Sequence, residues 1–96
     1  MNKQFENDMK LRKDPFVDGA FEFNWRNLIR GCIARFDKEI NIQGIWSNEE
    51  GKGNCQEFVK LLKEDCKHRG LILASSVPIS PIWRHICVKF DIKIYE

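Results

Sequence analysis

Between Asn54 and His68 apolar residues recur at Cys55, Phe58, Val59, Leu62 and Cys66, while Gln56, Glu57, Lys60, Lys63, Glu64 and Lys67 take the other side. This spacing predicts an amphipathic helix from about Asn54 to His68. Asn54 is expected to cap its start, with Glu57 as the reciprocal partner. Lys67, His68 and Arg69 suit the negative end of the helix dipole, and Gly70 suits the left-handed residue that ends a helix.

Upstream of this helix the period changes to that of strands. Phe21, Phe23 and Trp25 alternate with Glu22 and Asn24; Cys32, Ala34 and Phe36 alternate with Ile33 and Arg35; Ile40 and Ile42 alternate with Asn41 and Gln43. Arg26-Asn27 and Asp37-Lys-Glu39 are short enough to be hairpin connections, and Asp18-Gly19 adds a turn that leaves room for a further short strand at Phe16 and Val17. Before them, Phe5, Met9 and Arg12 or Lys13 fall along one side of a short helix stopped by Pro15, or belong to a frayed tail.

A strand from Ile40 to Trp46, the helix, and a second strand from Leu71 to Val77 make a crossover, so the two strands are expected to be parallel neighbours. Gly44 suggests either a bulge that splays the first strand from the second, or a small residue under a bulky neighbour such as Trp83. After Val77, Ser80 can cap a helix that begins at Pro81 and runs to about Phe90, burying Ile82, Ile86, Phe90 and also Trp83. Arg84, His85, Cys87 and Lys89 fall on its other faces, Asp91 breaks it, and Ile92 to Tyr95 alternate as a last strand. The expectation is one mixed α/β domain over residues 1–96, divided as 1–15 helix or tail, 16–46 antiparallel strands, 47–70 glycine turn and helix, and 71–96 strand, helix and strand.

Composition supports one folded domain: 96 residues, 43% hydrophobic and 31% charged, without a low-complexity run. Sixteen basic and 14 acidic residues give a net charge of only +2, so charge does not imply nucleic-acid binding. No apolar run approaches the roughly 20 residues that span a bilayer, and the polar start lacks a signal-peptide core, so a cytoplasmic location is the expectation. Cys32, Cys55, Cys66 and Cys87 form no Cys-x-x-Cys pair and read as reduced core thiols; His68 and His85 have the wrong spacing to complete a zinc site.

Candidate chemistry sits in the turn before the helix. Gly51-Lys52-Gly53 lies beyond the carboxyl ends of the two parallel strands, where open sheets gather ligands. Glycines let backbone approach a ligand closely, and first-turn N–H groups favour a phosphate. Gly-Lys-Gly can equally be an ordinary turn before a helix.

From Ile40 onward the chain resembles the central motif of the GNAT superfamily of acyl-CoA-dependent N-acyltransferases. In that family a bulged strand leads into a glycine turn of the form Arg or Gln, any, any, Gly, any, Gly or Ala, and then into the helix that holds the coenzyme A pyrophosphate. Here the turn reads Glu50-Gly-Lys-Gly-Asn-Cys55, with Glu50 at the Arg position and Cys55 at the last glycine. Ser80 to Ile92 is similar to the family's last helix, with Ser80 at its Asn position and Cys87 at the Tyr that often serves as general acid.

The resemblance implies a GNAT-like fold and attack of an amine, on a small molecule or a protein, on the thioester of acetyl-CoA. It implies cofactor contacts at Ile45, Trp46, Gly51, Lys52, Gly53, Asn54, Cys55 and Ser80. The backbone N–H groups near Ile45 and Trp46 would polarise the carbonyl. Glu22 or Glu39 is a candidate base, and Cys87 or His85 a candidate donor to the leaving thiolate. Each also has a plain structural role available: solvated carboxylates, a core-filling cysteine, a surface histidine. The alternative is a GNAT-like protein without catalysis, such as a small phage-encoded inhibitor or binding module acting on a protein partner. A short acceptor side makes homodimerisation a further expectation.

Overall fold

Alternation and helical periodicity resolve into nine elements in a computed structural model, which describes residues 3–49, 52–78 and 80–95, the side chains of Lys3 and Glu6 excepted. In order they are α1 (Lys3–Met9), β1 (Arg12–Lys13), β2 (Ala20–Trp25), β3 (Ile29–Arg35), β4 (Glu39–Ser47), α2 (Asn54–Arg69), β5 (Ile72–Ser75), α3 (Pro81–Lys89) and β6 (Lys93–Ile94). The strands form one six-stranded sheet in sequence order, antiparallel from β1 to β4 and parallel from β4 to β6. The result is a compact mixed α/β domain.

The tight connections follow from local chemistry. Arg26 and Asn27 both take positive φ, 53° and 57°, and the Leu28 N–H reaches the Trp25 carbonyl at 2.9 Å. That is the two-residue turn whose twist suits a hairpin. The Phe36 N–H donates to the Glu39 carbonyl at 2.8 Å and closes the next hairpin around Asp37 and Lys38.

Register fixes which side chains face the helices. Phe23 pairs with Gly31, Ile33 with Ile42 and Ile40 with Leu73, so these positions share one face. Onto that face α1 brings Phe5 and Met9, α2 brings Phe58, Val59, Leu62 and Cys66, and α3 brings Trp83, Ile86 and Cys87, all in one buried cluster. Phe58 is its centre, with ring centroids 4.9 Å from Phe23, 5.6 Å from Trp25 and 5.8 Å from Phe5. No described helix covers the opposite face, which carries Glu22, Asn24, Arg30, Cys32, Ala34, Asn41, Gly44, Trp46 and Ala74.

Several sequence expectations change. The core side of β3 is Ile29, Gly31 and Ile33, not Cys32, Ala34 and Phe36, and Phe36 is exposed. Alternation alone leaves the choice of face open where both sides carry apolar residues; pairing with β2 and β4 decides it. The N-terminal helix stops at Met9, Arg12 and Lys13 form β1, and Phe16 and Val17 lie in the exposed turn before β2. A carboxylate makes that turn, Asp14 Oδ1 accepting the Phe16 and Val17 N–H groups at 2.7 and 3.2 Å.

On α3, Ile82 is 75% exposed whereas Cys87 is fully buried. Trp83, Ile86 and Cys87 form the buried stripe at i, i+3 and i+4, which turns Ile82 outward. Asn54 is the first residue of α2 rather than its cap: the N-cap is Gly53 at φ 75°, with no side-chain cap among the described residues, and Glu57 ion-pairs with Arg26 at 3.6 Å instead. The far end closes as expected, with Gly70 at φ 70° and its N–H on the Lys67 carbonyl.

No described helix is long and apolar enough to cross a membrane.

Candidate functional site at the strand fork

The site originates in one extra residue of β4. Cys32 pairs with Gly44 and Ile33 with Ile42, which leaves Gln43 as a bulge. A bulge resets the alternation, so Ile40, Ile42, Ile45 and Ser47 face the helices whereas Gly44 and Trp46 face away. Gly44 is close-packed, but its neighbour is Trp46 rather than Trp83: a Cβ there would stand 2.9 Å from the Trp46 ring and 3.1 Å from Cys32 Sγ.

Parallel pairing of β4 with β5 ends at the same level. Ile42 and Ser75 are the last pair, and the Ser76 N–H makes the final bond, to the Ile42 carbonyl at 2.9 Å. Beyond it β4 continues to Ser47 with β3 alone beside it. The Asn48 N–H donates to the Leu28 carbonyl, on the β3 side, at 2.8 Å. By alternation the Ile45 and Ser47 backbone groups turn the other way, into the fork that β5 has vacated.

Two helices wall this fork. Ser80 Oγ accepts the Trp83 N–H at 3.2 Å and starts α3, whose Trp83 and Ile86 form one wall. The start of α2 forms the other. Its amides at Asn54, Cys55 and Gln56 precede the first intrahelical bond, from the Glu57 N–H to the Gly53 carbonyl at 3.1 Å, and no side chain among the described residues caps them. Between the walls lies a cavity of about 410 Å³ lined by Ile45, Ser47, Glu49, Gly53, Asn54, Cys55, Gln56, Val77, Pro78, Ser80, Ile82, Trp83 and Ile86. Lys89 Nζ braces the helices by donating to Gln56 Oε1 at 2.8 Å.

Of the residues singled out in the sequence, Ile45, Gly53, Asn54, Cys55 and Ser80 meet at this cavity. Lys52 is exposed outside its lining, Trp46 is on the opposite face of the sheet, and Gly51 and Glu50 lie outside the described residues. The four catalytic candidates are not brought together. Cys87 is buried behind the lining, and burial, with a smaller push from Cys55, raises its thiol to about 11. A thiol so raised gives up its proton reluctantly to a sulfur leaving group near the ordinary 8.5. His85 is exposed on α3 away from the cavity, and Glu22 lines a different cavity on the opposite face. Glu39 accepts the Tyr95 hydroxyl proton at 2.6 Å, which commits it to holding the β6 edge.

Sequence reasoning missed Trp83 as a wall of the site and Gln56 as a brace. Trp83 was legible as the third residue after the Ser80 cap, on the same stripe as Ile86. The fork is not the largest cavity; one of about 530 Å³ opens on the other face. Of these two cavities, the fork is the one on which strand-edge groups and first-turn amides of the described residues converge.

The chain matches no family model, no curated protein and no solved structure.

Proposed function

We propose that the fork binds the pantetheine arm of an acyl-coenzyme A and that the chain transfers the acyl group to an amine. The observation that carries this reading is the end of β4–β5 pairing beside the uncapped start of α2. An extended, amide-bearing ligand can lie along the open edge of β4 as an added strand does. The residues fit such an arm: Ile45, Val77 and Trp83 supply apolar surface, Ser47 and Asn54 polar contacts. The amides of Asn54 to Gln56 suit the adjoining phosphates, because they add to the positive end of a 16-residue helix.

A bound acyl-CoA supplies an activated carbonyl carbon. The Ile45 N–H, turned into the fork, is the chain's donor toward the carbonyl oxygen as negative charge develops there. The amine nitrogen forms the new bond to carbon as the carbon–sulfur bond breaks. In this reading Glu49, the carboxylate in the lining, takes the amine's proton.

A second reading, binding without transfer, is favoured by one observation: neither Cys87 nor His85 reaches the cavity to protonate the leaving sulfur. Calorimetric titration with acetyl-CoA and with desulfo-CoA, followed by measurement of free thiol released in the presence of primary amines, separates the readings. Saturable binding, lost in Ser47→Trp and kept in Trp46→Ala, with thiol release, supports the transferase. Binding without thiol release supports the second reading, and no binding at millimolar ligand overturns both.

A further inference from the structure

The uncovered face of the sheet holds the larger cavity, and its lining is ordered by strand register. In one rung Arg12, Glu22, Cys32 and Gly44 stand opposite one another across β1 to β4. In the next stand Asn24, Arg30 and Trp46, with Lys10 at the β1 edge. Three cations, a carboxylate, an amide and an indole therefore share one open surface of about 530 Å³.

Trp46 is 62% exposed even though Gly44 lets the far edge of its ring settle onto the strand beside Cys32. The indole is held from below and open above, as a stacking platform requires. Lys10, Arg12 and Arg30 make no ion pair among the described residues, so their charge is available to a ligand. Asn24 Oδ1 is buried without a hydrogen-bond donor among the described residues.

We propose that this face binds single-stranded nucleic acid. A base stacks on Trp46 while Arg30, Arg12 and Lys10 take phosphates along the strand. Stacking on an aromatic ring beside a cationic track is the sequence-tolerant way a single strand is held. The β1-to-β4 span, three strand spacings of ~4.8 Å, exceeds the reach of one nucleotide's phosphate and suits a short strand. Glu22, between the cations and the indole, offers an acceptor to amino groups on base edges, as a carboxylate does for cytosine N4. The near-balanced net charge of +2 hides this because it does not record that Arg12 of β1 and Arg30 of β3 fall on the same side of the sheet. The site is independent of the fork, from which the sheet separates it.

The test is fluorescence anisotropy with labelled oligo-dC and oligo-dA and their RNA counterparts, at low and at physiological salt. Circular dichroism melting confirms that each variant folds. The expected result is saturable binding that weakens with salt. Trp46→Ala should weaken it about tenfold, and Arg30→Glu or Lys10→Glu should weaken it with a smaller salt slope, whereas Ser47→Trp on the helix side leaves it unchanged. Absence of saturable binding at low salt overturns the proposal, as does binding indifferent to Trp46→Ala. Equal affinity for a duplex or for polyglutamate also overturns it, since either shows attraction to the cations alone. A nucleoside monophosphate competing as well as the oligonucleotide overturns the strand as the ligand.

Discussion

The indole Nε1–H of Trp83 donates to Ser75 Oγ at 2.8 Å, and both residues are buried. Ser75 is the last residue of β5 and the partner of Ile42 at the end of parallel pairing. Its hydroxyl oxygen also accepts the Val77 N–H at 3.1 Å, which turns the chain away from the sheet. One hydroxyl thus ends the strand, aims the following segment and fixes a wall of the fork.

Ser75→Ala should therefore cost about 1–3 kcal/mol, because the indole N–H is left buried without a partner. Urea denaturation measures it. Trp83→Phe removes the other partner, so adding Ser75→Ala to Trp83→Phe should cost less than adding it to the wild type. Equal cost in both backgrounds would show that the hydrogen bond is not the source.

Gly31 and Gly44 are cross-strand neighbours with opposite tolerance. A Cβ on Gly31 would collide with the Gly44 carbonyl oxygen and stand 2.7 Å from Phe23 Cζ in the core. Backbone and a buried ring cannot give way cheaply, so Gly31→Ala is expected to cost about 1–3 kcal/mol or more. At Gly44 the nearest atoms belong to the exposed Trp46 ring, which can swing aside. Gly44→Ala should cost less than Gly31→Ala while changing Trp46 fluorescence, and thermal melts of the two variants check the order.

The parallel crossover around α2 was legible because it depends on local signals that agree: a helical stripe from Cys55 to Cys66, a closing Gly70, and apolar strands on either side. Ser80 and Pro81 likewise announced α3. What failed were assignments that local pattern leaves degenerate. β3 has apolar residues on both sides, and only register with β2 and β4 chooses Ile29 and Ile33. Asn54 has the chemistry of a cap, yet the glycine before it takes the left-handed conformation at the helix start. The fork was partly legible, since Gly44 signalled a bulge. Its walls were less so: Trp83 could be placed from the Ser80 cap, whereas Gln56 meets the cavity through packing of α3 on α2, which no spacing along the chain records. Net charge was blind to the opposite face for the same reason.

Phe58 joins α1, β2 and α2, touching Phe5, Phe23 and Trp25 at ring separations of 5.8, 4.9 and 5.6 Å. Phe58→Ala should cost about 3–5 kcal/mol, the transfer term plus a cavity that three large rings cannot collapse into. Phe58→Leu keeps most of the volume and should cost less. Chemical denaturation of both variants measures the difference. A small effect of the alanine change would mean that α1 does not pack on the folded domain.

The four cysteines should separate by reactivity and by pH. Cys66 and Cys87 are fully buried, and burial pushes their thiols up to about 12 and about 11, against an ordinary value of about 8.5. Cys32 and Cys55 are half-buried and also raised, Cys32 by burial and then by the Glu22 charge, Cys55 by burial. Well below the ordinary thiol value of about 8.5 all four thiols are neutral in both states and titration leaves stability alone. Above it the unfolded chain releases protons that the folded chain retains, so stability falls with rising pH until the folded thiols also ionise. Each thiol contributes a slope of about 1.4 kcal/mol per pH unit within its window. Urea midpoints should drop between pH 9 and 11, less steeply in a Cys66→Ala/Cys87→Ala variant than in the wild type. In the native protein iodoacetamide should label Cys32 and Cys55 while sparing Cys66 and Cys87, as peptide mapping can show. Equal labelling of all four would mean that α2 and α3 open from the sheet far more readily than their packing implies.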